Sequence, residues 1–142
     1  MIQVIIGREY PDVLTPLIEQ AKDSIEILVF DWRWYANEPN TRVQKFNNAI
    51  LQAGKRGLKV RALVNNSLVS TILQLQNLSV KRVNTKTLMH VKFIIIDHKK
   101  IVIGSHNFSK RAFEINHEAS LLTDDQNSID RCLKYFNILC LL

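Results

Sequence analysis

Glycine, proline and cysteine are all scarce in this chain, which has four, three and two of them among its 142 residues. So little glycine and proline, without any low-complexity run, argues against disorder and indicates an ordinary globular protein, as does the 46% share of hydrophobic residues. We predict one domain over residues 1–142, because nothing in the chain resembles a linker between two units.

Long apolar runs are also missing. The first ten residues, MIQVIIGREY, have no basic start, and their apolar run is too short for a signal peptide or a membrane span. We therefore expect a cytoplasmic protein with no stable membrane insertion. The two cysteines, Cys132 and Cys140, fall in the last predicted helix, where the rise per residue separates them by about 12 Å. That distance is beyond disulfide reach, so we interpret them as buried thiols.

Acidic residues are fewer than basic ones. Thirteen Asp and Glu face nineteen Lys and Arg, which gives a formal net charge of +6 and a pI near 9.5. This surplus favours an anionic partner such as nucleic acid or an acidic membrane surface, although it also serves solubility.

The first half of the chain alternates between strand and helix periodicity, which is typical of α/β architecture. The predicted strands are QVII, SIEILVF, LKVRALV and SVKRV, and the predicted helices cover residues 11–22, about 41–54 and, from a cap at Asn66 or Ser67, up to about 76. In the second half, HVKFIIID, KIVIGS and NHEASLL are predicted strands that precede a closing helix. We expect an α/β fold in which helices cover both faces of a mixed sheet.

Polar residues flank the apolar centre of the segment MHVKFIIIDHKKIVIGSHNFS, residues 89–109. Because side chains alternate along a strand, His90 and Lys92 share one face, whereas Asp97 is on the other and is interpreted as structural. Alternation gives the next two strands one polar pair each. These pairs are Ser105 with Asn107, and Asn116 with Glu118.

This set of converging groups suits phosphoryl transfer. It consists of an imidazole, an ammonium group, a hydroxyl, an amide and a carboxylate. Lysine and asparagine donors can stabilise the charge of a phosphodiester in the transition state. A neutral histidine can attack phosphorus, and a carboxylate on its other nitrogen fixes the tautomer. The set requires no metal or cofactor, and a zinc or magnesium site would need paired Cys/His or clustered carboxylates that are missing here.

The motif H-x-K-x-x-x-x-D is present as His90, Lys92 and Asp97, and the segment GSHNFS follows it from Gly104. With the downstream Glu118, this set resembles the signature of the phospholipase D superfamily. The resemblance implies that superfamily's sandwich of helices around a mixed sheet, with Asp97 and Gly104 as structural members of the motif.

The resemblance also implies a catalytic role for five residues. His90 would form a covalent phosphohistidine, and Lys92 and Asn107 would bind phosphate. Ser105 would support them by hydrogen bonding, and Glu118 would hold the imidazole.

The motif occurs once, whereas large members of the superfamily carry it twice and divide the work between two histidines. His98, His106 and His117 do not supply a second copy. We therefore expect a homodimer with its active site on the two-fold axis.

Nucleic acid is the expected substrate, DNA more than RNA, because short single-motif members resemble nucleases and the chain is basic. In the segment DWRWYANEP, Trp32 and Trp34 could stack on bases and Arg33 could bind phosphate; alternatively, the aromatic rings pack the loop or a dimer seam. Two other functions stay open. One is a lipid-directed phosphodiesterase or transphosphatidylase, and the other is an inactive nucleic-acid-binding module.

Overall fold

A computed structural model describes residues 1–67, 78–83 and 86–142, without the side chains of residues 66 and 67. Within these ranges, seven strands form one mixed sheet in the order β1-β7-β6-β5-β2-β3-β4. The strands are β1 (Ile2–Ile6), β2 (Ser24–Trp32), β3 (Lys59–Ser67), β4 (Ser79–Arg82), β5 (Phe93–Ile96), β6 (Lys100–Gly104) and β7 (Ala119–Thr123). The helices are α1 (Glu9–Glu19), α2 (Arg42–Lys55) and α3 (Gln126–Leu139), with a π-helical turn at Arg111–Ile115.

The sheet has a parallel half and an antiparallel half. β2, β3 and β4 are parallel, and α2 makes the crossover from β2 to β3. The hydroxyl of Thr41 caps the start of α2 by accepting a hydrogen bond from the amide of Gln44. β5, β6, β7 and β1 are antiparallel to their neighbours, so the short turn after β5 is enough to connect it with β6.

Helices cover both faces of the central strands. On one face, Ile27 and Ile94 pack in a core with Phe46 of α2. On the other face, Leu28 and Phe93 pack in a core with residues of α3 such as Phe136. The alternation of Ile27 and Leu28 between the two cores follows from the two-residue repeat of a strand. The expected α/β class, a mixed sheet between helices, is confirmed.

One part of the sheet surface carries exposed apolar side chains. Val4, Leu121 and Ile103 lie in one cross-strand row over β1, β7 and β6. Ile2 and Ile6 flank Val4 on the same face of β1 and are more than half exposed. We call these five residues the apolar sheet face.

Most predicted boundaries shift by a few residues; the helix predicted at residues 11–22, for example, is Glu9–Glu19. The strand predicted from His90 starts only at Phe93, and the one predicted from Asn116 starts only at Ala119. β3 continues through Asn66 and Ser67, the residues predicted to cap a helix, and the rest of that predicted helix lies outside the described residues. No helix in the described ranges is long and apolar enough to cross a membrane.

Candidate active site

The motif residues lie at one edge of the sheet. His90 and Lys92 immediately precede β5, Gly104 ends β6, and Glu118 immediately precedes β7. Because β6 is antiparallel to both of its neighbours, the start of β5, the end of β6 and the start of β7 meet at this edge. Since the polar residues lie beyond the strand ends, their positions depend on loop contacts more than on strand alternation.

Lys92 turns its side chain back onto His90. Its Nζ lies 2.8 Å from the carbonyl oxygen of His90, and 3.0 Å from Nδ1 and 3.4 Å from Nε2 of the imidazole. Lys92 is 8% exposed, whereas His90 is exposed. Burial lowers the pKa of Lys92, and the charge of Glu118 raises it in part. Lys92 can donate to Nδ1 only in a tautomer that leaves a lone pair on that nitrogen.

Phe30, near the end of β2, is a member of the site that the sequence patterns did not reveal. Its ring centroid lies 4.8 Å from that of the His90 imidazole, at 51° between the planes. The Nζ of Lys92 lies 5.7 Å from the same centroid. Phe30 therefore contacts both residues of the H-x-K motif. The contact depends on the pairing of β2 with β5, which local patterns do not contain.

Asn107 is held by the end of β2. Its Oδ1 accepts a hydrogen bond of 3.1 Å from the amide of Asp31. The amide of Phe108 donates to the carbonyl of Asp31, and the amide of Arg33 donates to the carbonyl of Phe108. These bonds orient the Asn107 side chain and leave its Nδ2 group for another acceptor.

His106 is buried and connects the motif loop to the neighbouring elements. Its Nδ1 lies 2.7 Å from Ser120 Oγ and its Nε2 lies 2.8 Å from the carbonyl oxygen of Gly7. The ring stacks on Tyr10 at 4.4 Å. Burial lowers the pKa of His106, while the hydrogen bond to Gly7 and the charge of Glu118 raise it in part. The neutral ring fits both partners, since Nε2 can donate to the carbonyl while Nδ1 accepts from the hydroxyl.

Glu118 interacts with Ser105 and with Asn116. Its Oε1 accepts a hydrogen bond of 2.5 Å from Ser105 Oγ, and its Oε2 accepts one of 3.2 Å from Asn116 Nδ2. Ser105 Oγ in turn accepts from the amide of Ala119. Both Glu118 and His90 are within the described residues, yet the structure has no hydrogen bond between them. The expected contact of Glu118 with the imidazole is therefore not made within one chain.

Gly104 lies where β6 and β7 approach too closely for any side chain. A Cβ atom at this position would lie 2.4 Å from the Cα of Ser120 and 2.5 Å from the carbonyl oxygen of Ala119. Backbone atoms cannot move aside, so the motif needs glycine here.

Asp97 lies at the opposite end of β5 from His90. Its carboxylate accepts hydrogen bonds from the backbone amides of Lys22, Asp23 and Ser24. Burial raises the pKa of Asp97, but these bonds and the charge of Lys99 outweigh it and hold the pKa below its ordinary value. Asp97 thus ties the β5–β6 turn to the start of β2, far from the residues around His90.

The three residues proposed to contact nucleic acid have different environments in the structure. Trp32 has no exposed surface; it donates from Nε1 to Asn47 and packs edge-on against Phe108. In this structure Trp32 is therefore not accessible for stacking on a base, and its ring packs in the core at the end of β2. Arg33 pairs with Asp31, and Trp34 is half-buried against the core.

Comparison with known proteins supports the resemblance seen in the motif. The family profile described as "Cardiolipin synthase, PLD-like domain" matches residues 14–140. A phospholipase D from Rickettsia conorii is 33% identical over 92 residues, which is 61% of this chain and 46% of that protein. The chain spans about half the length of the curated relatives it matches.

Two solved structures share the fold. NucT from Helicobacter pylori has a TM-score of 0.79 at 24% identity, with 99% of this chain and 95% of that one covered. The phospholipase D family member Nuc from Salmonella typhimurium has a TM-score of 0.79 at 20% identity, with 96% and 91% covered. With the family profile matching from within α1 to beyond the end of α3, the chain belongs to the phospholipase D superfamily, among its cardiolipin synthase PLD-like domains.

Proposed function

We propose that this protein is a metal-independent phosphodiesterase that cleaves nucleic acid through a covalent phosphohistidine at His90. The observation that supports this most is the buried side chain of Lys92, whose Nζ lies 3.0 Å from Nδ1 of the exposed His90 imidazole. Within the described residues, no carboxylate is hydrogen-bonded to this ammonium group, and burial of an unpaired cation lowers the stability of the fold. A cation kept there is expected to bind a ligand, and a phosphate group is the ligand that its charge and donors fit.

In the proposed reaction, a ring nitrogen of His90 attacks phosphorus. The P–N bond forms as the P–O ester bond breaks, and the leaving oxygen takes a proton from a second imidazole. Water then attacks phosphorus, the P–N bond breaks, and the second imidazole takes the proton from water. Lys92 and the Nδ2 group of Asn107 donate to the non-bridging oxygens, while Glu118 and Ser105 form the rim of the site.

The second imidazole comes from His90 of a second copy of this chain. The chain has one complete H-x-K-x-x-x-x-D motif, because His98 and Lys100 are followed by Ser105 where the aspartate belongs. Glu118 hydrogen-bonds Ser105 and Asn116 rather than His90 of its own chain. The apolar sheet face ends at the same sheet edge, because Ile6 pairs with Ala119, next to Glu118. Burial of this face against a second copy would remove exposed apolar surface and bring two half-sites together.

The choice of nucleic acid follows from the net charge of +6 and from the exposed position of His90 at the sheet edge. Lipid cleavage is a second candidate, because the Rickettsia conorii relative is named a phospholipase D and the apolar sheet face could rest on a bilayer. An inactive nucleic-acid-binding module is the third.

A cleavage assay in excess EDTA separates these functions. Single- and double-stranded DNA, RNA and phospholipid vesicles are each incubated with the wild type and with His90→Ala. We expect cleavage of nucleic acid by the wild type alone and an acid-labile phosphoenzyme after rapid quenching. Cleavage of phospholipid only would favour the lipid enzyme, and binding of DNA without any cleavage would favour the inactive module.

A further inference from the structure

The charges of this chain are distributed very unevenly along its sequence. Residues 39–96 contain ten Lys and Arg and no Asp or Glu. This segment contains α2, β3, β4, the H-x-K motif and β5. Among the described residues, carboxylates from elsewhere pair with this segment at two points: Glu26 with Arg61, and Asp12 and Glu114 with Arg42. We call residues 39–96 the basic body, because this segment has no acidic residue of its own.

Arg82 is the basic residue of this body that is best placed beside the candidate site. It ends β4, whose carboxyl end lies at the same sheet edge as the ends of β2 and β3. Its side chain is exposed, and its Nε donates to the carbonyl of Asn65 at 3.3 Å. In the described part of the chain it has no carboxylate partner, and residues 68–77 and 84–85 contain no acidic residue. Anchoring through Nε leaves the two terminal NH₂ groups to bind a phosphate as a fork.

Asn65 connects Arg82 to the motif. Its backbone carbonyl accepts from Arg82, and its side-chain Oδ1 accepts from the amide of Met89, which precedes His90. One residue thus holds both the guanidinium group and the segment that carries the proposed nucleophile. Lys86, on the connection between them, is also exposed.

The register of the sheet gives the spacing. Leu28 pairs with Phe93, which places Lys92 level with Val29; Val29 pairs with Val64, and Val64 pairs with Arg82. Lys92 and Arg82 are therefore in one row, three strand spacings or about 14 Å apart. At the ~3.4 Å rise per nucleotide of a stacked strand, this is the span of about four nucleotides.

We propose that Arg82, supported by Lys86, is a second phosphate-binding position that holds a single nucleic-acid strand a few nucleotides away from the bond cleaved at His90. The strand would cross the carboxyl ends of β2, β3 and β4, and its phosphates would be bound without regard to base sequence. This inference rests on the proposed nuclease function for its substrate class.

The test compares Arg82→Gln with the wild type on two substrates. On bis(p-nitrophenyl) phosphate, which has one phosphodiester and cannot span 14 Å, we expect equal kcat/KM. On a 12-nucleotide single strand we expect kcat/KM to fall about tenfold, through KM, as for the loss of one charge-assisted phosphate contact. Arg131→Gln removes the same charge from an exposed position on α3 and serves as the matched control, with thermal unfolding to show that each variant folds.

Binding to the same 12-mer is measured by fluorescence anisotropy in a His90→Ala background, so that it does not depend on turnover. We expect Arg82→Gln to reduce the slope of log K against log salt by about 0.7, the contribution of one phosphate of a single strand. Equal binding of the 12-mer with and without Arg82, or an equal loss of activity on both substrates, would overturn the inference. If the wild type cleaves neither substrate while Arg82→Gln still weakens binding, the proposed nuclease function fails and the binding position stands.

Discussion

At the scale of single residues, the site combines an exposed histidine with a buried lysine. Lys92 is 8% exposed and hydrogen-bonds the carbonyl and the ring of His90. Burial lowers its pKa, which means that the fold would be more stable with a neutral side chain there. Such a group is typical of a functional site, where a charge that binds the ligand is kept although it lowers the stability of the fold.

We predict that Lys92→Met abolishes cleavage while it raises the free energy of unfolding at pH 7 by about 1 kcal/mol. Between the lowered pKa of the folded state and the ordinary value of 10.5, the unfolded chain binds more protons, so wild-type stability rises with pH. The advantage of the variant should therefore shrink as pH rises through that window. Urea unfolding of both proteins from pH 7 to 10.5 measures this, and a constant difference would contradict it.

Phe30 supports a second prediction at this scale. A phosphorylated imidazole at His90 would be cationic, and the Phe30 ring 4.8 Å away can stabilise it through cation–π attraction, worth about 0.5–2 kcal/mol. We expect Phe30→Leu to slow turnover about tenfold and to reduce the phosphoenzyme trapped by quenching in alkaline denaturant. Phe30→Tyr, which keeps the ring, should restore both. A Leu variant that is as active as the wild type would show that the ring only fills space.

At the scale of elements, the sequence predicted the strands and helices better than it predicted which residues contact one another at the strand ends. The apolar centres FIII and KIVIG were recognised because burial on a strand is visible in adjacent residues. Phe30 and Asn65 were missed as neighbours of the motif because they reach it through the strand order β5-β2-β3. Strand alternation placed Ser105 and Asn107 together, but both lie beyond the end of β6, and the loop contacts with Asp31 and Glu118 position them.

The β5–β6 turn provides a prediction at the element scale. Asp97 and His98 both have positive φ angles, 56° and 54°, which Asn also tolerates. Asp97→Asn keeps this backbone but removes the charge that three amides bind. We expect it to lower the free energy of unfolding by about 1–3 kcal/mol at pH 7, with little change in kcat, because the turn is remote from His90.

The pH dependence of Asp97→Asn has a definite sign. The folded pKa of Asp97 lies below its ordinary value of 3.8, so its stabilisation is present above that value and is lost as pH falls through the folded pKa. The stability difference between wild type and variant should therefore shrink in acid. Chemical unfolding from pH 7 to pH 3 measures it; a difference that grows in acid would contradict the assignment.

At the scale of the whole molecule, the proposed reaction makes the candidate site one half of a two-histidine site, so activity should depend on pairs of chains. If His90→Ala is mixed with the wild type and the subunits are allowed to exchange, most wild-type chains in an excess of variant join a partner that lacks the second imidazole. We expect activity to fall with the square of the wild-type fraction. If activity instead falls in proportion to the wild-type fraction, each chain works alone. The control is a mixture of wild type and His90→Ala in which the subunits have not been allowed to exchange.

The burial of Trp32 gives the molecule an internal optical reporter. The chain has two tryptophans, of which Trp32 is fully buried against Phe108, next to Asn107, and Trp34 is half-buried. An indole in such surroundings emits at short wavelength and is shielded from dissolved quenchers. Any loosening of the loop that carries Asn107 would move this emission to longer wavelength, so the order of this loop can be followed in solution without a label.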